Sequence, residues 1–142
     1  MATWTKYESW KENSGDGTQT YDYDTDTIKA MIVSNAYTPN VGSHTAKSDI
    51  TGEVSGTEYT AGGETMAITT AKASGVATYN AAAINYAQSG TGFSTGRYII
   101  FYKDTGVAST SPLLGYYDAV SSFGNVAAAL AISFPTGFFT DQ

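Results

Sequence analysis

The chain has 142 residues, no cysteine, and 13 acidic against 7 basic side chains for a formal net charge of −6. This is one domain's worth of sequence, able to bury about two thirds of the surface its unfolded chain exposes. The composition excludes a disulfide framework, a thiolate nucleophile and a cysteine-based metal centre. The negative field also makes nucleic acid a poor partner, because the few basic residues are scattered.

Residues 1–20 are polar and glycine-containing, with Trp4, Tyr7 and Trp10 interleaved among charges. They read as an N-terminal arm preceding a single β domain over 21–142. Rings spaced by three in a segment with no hydrophobic pattern of its own are costly to leave in water, so Trp4, Tyr7 and Trp10 are the candidate partner-binding residues. The start of the chain lacks an apolar h-region and carries acids, which is unlike a signal or transit peptide.

Beyond the arm, Thr, Ser, Gly, Ala and Tyr dominate and only three prolines occur. Such a composition favours short strands and tight turns. Strands are predicted over 28–34, 64–73, 76–80, 83–87, 97–103, 113–120 and 126–134, each bounded by turn residues. The polar stretch between Pro39 and Gly52 allows a short helix capped by Ser43, with Lys47 toward its end. No helix of three turns is expected elsewhere. The fold class is therefore mainly β: an antiparallel β-sandwich or small barrel with an N-terminal arm and little helix. The longest apolar run, 126–134, is too short to cross a bilayer as a helix, and no membrane partner is expected.

Candidate chemistry is thin. Gly92-Phe93-Ser94-Thr95-Gly96 fits the GxSxG pattern of a nucleophile elbow, but a strand follows the serine where a helix is required, and the one histidine, His44, lies upstream of it. A hairpin loop is the simpler reading. Asp22, Asp24 and Asp26 alternate as DxDxD, yet an EF-hand loop would need glycine where Thr27 stands and glutamate where Val33 stands. A solvated strand edge with Tyr21 and Tyr23 on its other face accounts for them better. Glu53, Glu58 and Glu64 lie in turn segments with nothing to select a glycosidase pair. No catalytic residue, metal site or cofactor is assigned. The eleven tyrosines suit an interface, and would equally suit a carbohydrate-binding surface.

The most informative stretch is EVSGTEYTAGG at 53–63, in which Gly56, Gly62 and Gly63 suit turns requiring positive φ, with the hydroxyls of Ser55, Thr57 and Thr60 in reach of main chain. It stands in order with DTIK at 26–29, YTP at 37–39, RYIIFYKDTG at 97–106 and SPLLGY at 111–116. In this series the chain resembles a set of small proteins encoded among the virion genes of tailed bacteriophages, over residues 25–116. The resemblance implies a non-enzymatic virion structural protein, of the capsid decoration or cement type. Its partner would be the major capsid protein, its place the capsid surface after synthesis in the host cytoplasm. A homotrimer is the expected state, since a small oligomer at three-fold positions of a shell gains avidity from weak contacts. A tail-associated or head-completion role, and a carbohydrate-binding adhesin module, are the alternatives.

Overall fold

The computed structural model describes residues 3–135. In chain order its elements are β1 (Thr3–Lys6), α1 (Glu8–Asp16), β2 (Ile28–Ser34), β3 (Glu64–Thr65), β4 (Ile68–Ala73), β5 (Val76–Ala81), β6 (Ile84–Tyr86), β7 (Gly96–Lys103), β8 (Leu113–Phe123) and β9 (Leu130–Ile132). A five-stranded sheet has the order β1-β8-β7-β2-β3, and two ribbons, β4–β5 and β6–β9, stand outside it. Every pairing is antiparallel. The fold is mainly β, and the sheet does not close into a barrel.

The runs IKAMIVS and GRYIIFYK are apolar at consecutive positions, the pattern of strands covered on both faces. Side chains alternate across the pleat. Ile28, Ala30 and Ile32 of β2 join Ile99 and Phe101 of β7 in one cluster, covered by Ile84, Tyr86, Leu130 and Ile132 of the β6–β9 ribbon. Met31 and Val33 join Ile100 and Tyr102 on the other face, covered by Tyr37, Val41 and Ile50 from the loop after β2. Each buried aliphatic side chain stabilises the fold by about 1.5–3 kcal/mol, so these two strands are its anchor.

The N-terminal segment is part of this core, which corrects the expectation of a separate arm. β1 pairs along β8 from Thr3↔Asp118 to Lys6↔Gly115, and the Tyr7 N–H continues the ladder to the Leu114 carbonyl at 3.1 Å. Trp4 lies edge-to-face on Phe101, Tyr7 is fully buried in the second cluster, and Trp10 is buried in the first. The spacing of three reflects a strand running into a helix, so the rings split between the two faces of the sheet. Room for Trp4 comes from Gly115: a Cβ there would fall on the indole. α1 then ends at Gly17, whose φ of +73° is the left-handed conformation that closes helices.

Several boundaries differ from the sequence expectations. The predicted strand 64–73 divides at Met66 and Ala67, with β3 on the main sheet and β4 leaving it to pair with β5. Of 126–134 only Leu130–Ile132 is strand, because the small Ala127, Ala128 and Ala129 have nothing to pack on and stay exposed. The Asp22 to Asp26 stretch is a turn instead of a strand edge: the Asp22 carbonyl accepts the N–H groups of Thr25 and Asp26. Between Pro39 and Gly52 the helical piece is a single 3₁₀ turn, Lys47–Asp49, organised by the Asp49 carboxylate accepting from the Thr45 and Ala46 amides, not by Ser43.

The turn at 53–63 is as glycine-dependent as its sequence suggests. Gly63 has φ +86°, and a Cβ there would collide with the Ala30 carbonyl where β3 meets β2. The organising side chain is Glu53, whose Oε1 accepts from the Gly62 N–H at 2.5 Å and from the Tyr59 hydroxyl at 2.9 Å. Tyr59 in turn accepts the Ile32 N–H, tying the turn to β2.

Among the described residues, ion pairs join Arg97 to Asp118 between β7 and β8, Lys29 to Asp104, and Lys103 to Asp26. The Arg97 hydrogen bonds hold the Asp118 carboxyl below its ordinary range, Lys29 does the same for Asp104, and the amides of Thr45 and Ala46 for Asp49. A carboxyl depressed in the folded state stabilises it above the unfolded pKa, about 3.9, and the contribution is lost as pH falls toward the folded value. The melting temperature is therefore expected to be flat from neutrality to about pH 5 and to fall below about pH 4. Circular dichroism melts at stepped pH check this, and an unchanged midpoint at pH 3 contradicts it.

Candidate functional site

The residues that sequence reading proposed for partner binding are spent on internal packing. Tyr7 donates to or accepts from the Tyr37 hydroxyl at 2.8 Å, and Trp10 carries the Lys6 ammonium over its ring at 4.7 Å. Trp4 is half-buried under the sheet edge. None of the three offers an open aromatic face as an arm would.

The candidate chemistry resolves into structural roles. Ser94 is exposed on the loop that leads into β7, and its neighbour Phe93 is buried with its N–H on the Asn125 Oδ1 at 2.9 Å. His44 meets Tyr37 through Nδ1 at 2.7 Å, on the face of the sheet that holds Tyr7. Burial pushes the Tyr37 hydroxyl up to about 12, so at neutral pH it is a hydrogen-bonding group and not a base. Glu53 holds the 53–63 turn. Among the described residues no group of three or more His, Asp or Glu side chains is placed to hold a metal ion. Ser94→Ala is accordingly expected to leave stability within about 0.5 kcal/mol of the parent. Stoichiometric labelling of Ser94 by a serine-reactive phosphonate would reveal the nucleophile that this reading denies.

The surface feature that stands out is the β4–β5 hairpin, which sequence reading treated as ordinary strand. Residues 69–77 are all exposed, and Val76 near the turn is among the exposed large hydrophobic residues. Register fixes its two faces. Thr70 pairs with Tyr79 and Lys72 with Ala77 on the side that carries Ile68 and Ala81 against the core; Thr69, Ala71, Ala73, Val76 and Thr78 point the other way. An isolated two-stranded hairpin is marginal in water, and free strand edges are normally blunted with charge. This one carries a single charged residue, Lys72. A signal was present in the sequence: no acidic residue occurs between Glu64 and Asp104, although the chain as a whole is acidic.

A second polar centre lies where three loops meet. Asn125 is fully buried and donates through Nδ2 to the carbonyls of Thr57 and Ala87, while its backbone N–H returns to the Phe93 carbonyl. It ties the 53–63 turn to the loops around Ala87 and Phe93. Its role is mechanical, and one asparagine in a small-residue stretch gave no hint of it. Among the described residues no helix is long and apolar enough to cross a membrane.

Comparison of the chain with family models, curated proteins and solved structures finds no match.

Proposed function

We propose that this chain is a non-enzymatic structural protein of a tailed-phage virion, a decoration protein that docks on the major capsid protein as a homotrimer at the capsid surface. The observation that carries the reading is the β4–β5 hairpin, an almost uncharged two-stranded ribbon whose outer face, with Thr69, Ala71, Ala73 and Val76, is turned away from the core. Small neutral side chains let a partner backbone approach without desolvating charge, and free edges supply main-chain hydrogen bonds. The resembled segments supply the scaffold that carries such a ribbon. DTIK carries Lys29, paired with the Asp104 of RYIIFYKDTG, and SPLLGY carries the Gly115 that admits Trp4. A broad stacking platform of tyrosines, the feature that would favour an adhesin, finds less support, since none of the eleven is among the exposed residues.

The test is co-sedimentation of the purified protein with shells assembled from tailed-phage major capsid protein. Saturable binding is expected, and the double variant Thr69→Lys/Val76→Lys should weaken it at least about tenfold while leaving the melting curve of the free protein in place. Absence of binding by the parent protein, or binding that the double variant leaves intact, counts against docking through the hairpin.

A further inference from the structure

The inner face of the same hairpin does not close on the body. Between it and the turn at Asp22 to Asp24 lies an open cleft of about 450 Å³. Its existence follows from the register: Ala77, opposite Lys72, puts a methyl group where a larger side chain would fill the gap. The lining is in part aromatic. Tyr21, Tyr23 and Tyr79 line it, with Tyr23 and Tyr79 edge-to-face at 4.9 Å. The hydroxyl oxygens of Tyr21 and Tyr23 are buried, so these two rings offer the cleft carbon and not oxygen. Polar groups stand beside the rings on both elements, Asp22 and Asp24 on the turn and Thr70 and Lys72 on the hairpin.

The carboxylates of the turn are held in place. The Asp22 N–H donates to Asp26 Oδ2 and the Asp24 N–H to Asp22 Oδ1, while Lys103 ties Asp26 and the Thr20 carbonyl to β7. The Thr70 hydroxyl donates to the Asp24 carboxylate at 2.8 Å, joining turn and hairpin. Turn and hairpin are thus joined before any ligand arrives, which lowers the cost of binding.

We propose that this cleft is a saccharide-binding site that takes the apolar face of a neutral hexose unit against the tyrosine rings and its hydroxyl edge against Asp22, Asp24 and Lys72. A pyranose ring is amphipathic in the way the cleft is: C–H groups on one face, donors and acceptors around the rim. Carboxylates accept from sugar hydroxyls and the ammonium donates to them, giving charge-assisted hydrogen bonds. The volume lies within the range of small-ligand pockets. A cationic ligand would also be drawn to rings and carboxylates. Here Lys72 sits in the lining and repels it, and two carboxylates are too few for a metal ion held by protein alone. Apart from Ala71, which borders both, the cleft and the proposed shell contact use residues of opposite faces of the hairpin.

The experiment is a glycan array probed with the intact protein, followed by NMR titration with the best-retained oligosaccharide. Retention of neutral hexose-containing glycans is expected, with shifts at Tyr79, Thr70 and the Asp22 to Asp24 amides. Ala77→Tyr, which fills the cleft at an exposed position compatible with strand, should abolish binding. Asp24→Asn should weaken it about tenfold, the loss of one charge-assisted hydrogen bond. Both variants should keep the parent's melting temperature and its co-sedimentation with shells, so failure of this site is distinguishable from failure of the shell reading. No retained glycan at millimolar ligand, affinity unchanged by Ala77→Tyr, or displacement of the glycan by tetramethylammonium would each overturn the proposal. A free sugar and a surface polysaccharide share the chemistry, and monosaccharide against polymer in the titration separates them.

Discussion

Deletion of residues 1–15 is expected to unfold the domain. It removes β1, exposes the β8 edge from Gly115 to Asp118, and takes Tyr7 and Trp10 out of the two apolar clusters. Truncating a buried aromatic residue alone costs about 3–5 kcal/mol, and domains of this kind have about 5–15 kcal/mol in total. Loss of Tyr7 also removes one of the two partners of the Tyr37 hydroxyl, leaving it with His44 alone. The truncated protein should lose the near-ultraviolet circular dichroism of packed aromatics and melt without a cooperative transition. Trp10→Ala is the milder version, with a cooperative but lowered midpoint. A truncated protein that melts within about 5 °C of the full chain would restore the arm reading and return Trp4, Tyr7 and Trp10 to the list of docking residues.

Asn125→Ala is the single substitution expected to do most damage. Three main-chain groups lose their partner at once: the carbonyls of Thr57 and Ala87 and the N–H of Phe93. A buried unsatisfied group costs about 1–3 kcal/mol, which applies in full to the Phe93 N–H and less to the carbonyls of Thr57 and Ala87, both exposed residues. The sum is about 2–4 kcal/mol, a drop in melting temperature of more than about 5 °C. Asn125→Asp should be no better at neutral pH, since it keeps the acceptor, loses both donors and buries a charge. Thermal melts of the two variants decide it. A loss under about 1 kcal/mol for the alanine variant would mean that the three loops hold together without the side chain.

The elements legible in the sequence were those whose evidence is local. β2 stands where its apolar run places it, and β7 begins one residue earlier than predicted. The glycines of 53–63 mark a turn whose Gly62 and Gly63 do have positive φ. β1 was illegible because TWTK is too short to show a period, and what makes it a strand is the partner offered by β8, far away in sequence. The same holds for the end of β8. Opposite Arg97 the strand bulges, and Val120 takes φ +68°, a conformation rare for a β-branched residue, with its N–H on Asp118 Oδ1 at 2.7 Å. A sequence window reads that stretch as ordinary strand until Ser121.

The candidate sites divide along the same line. Composition and spacing by themselves determined that the chain is mainly β, that it has no cysteine chemistry, and that GxSxG and DxDxD lack the contexts their chemistry needs, because these depend on residue type and near neighbours. Only the tertiary structure decided that the first aromatic residues are core, that the β4–β5 ribbon stands clear with an uncharged outer face, and that Ala77 leaves a cleft beside three tyrosines. Those outcomes turn on which strand finds which partner and in what register. Within the hairpin the two-residue turn Ser74-Gly75, both at positive φ, sets the register, but which of the two faces meets the core is decided by the rest of the fold.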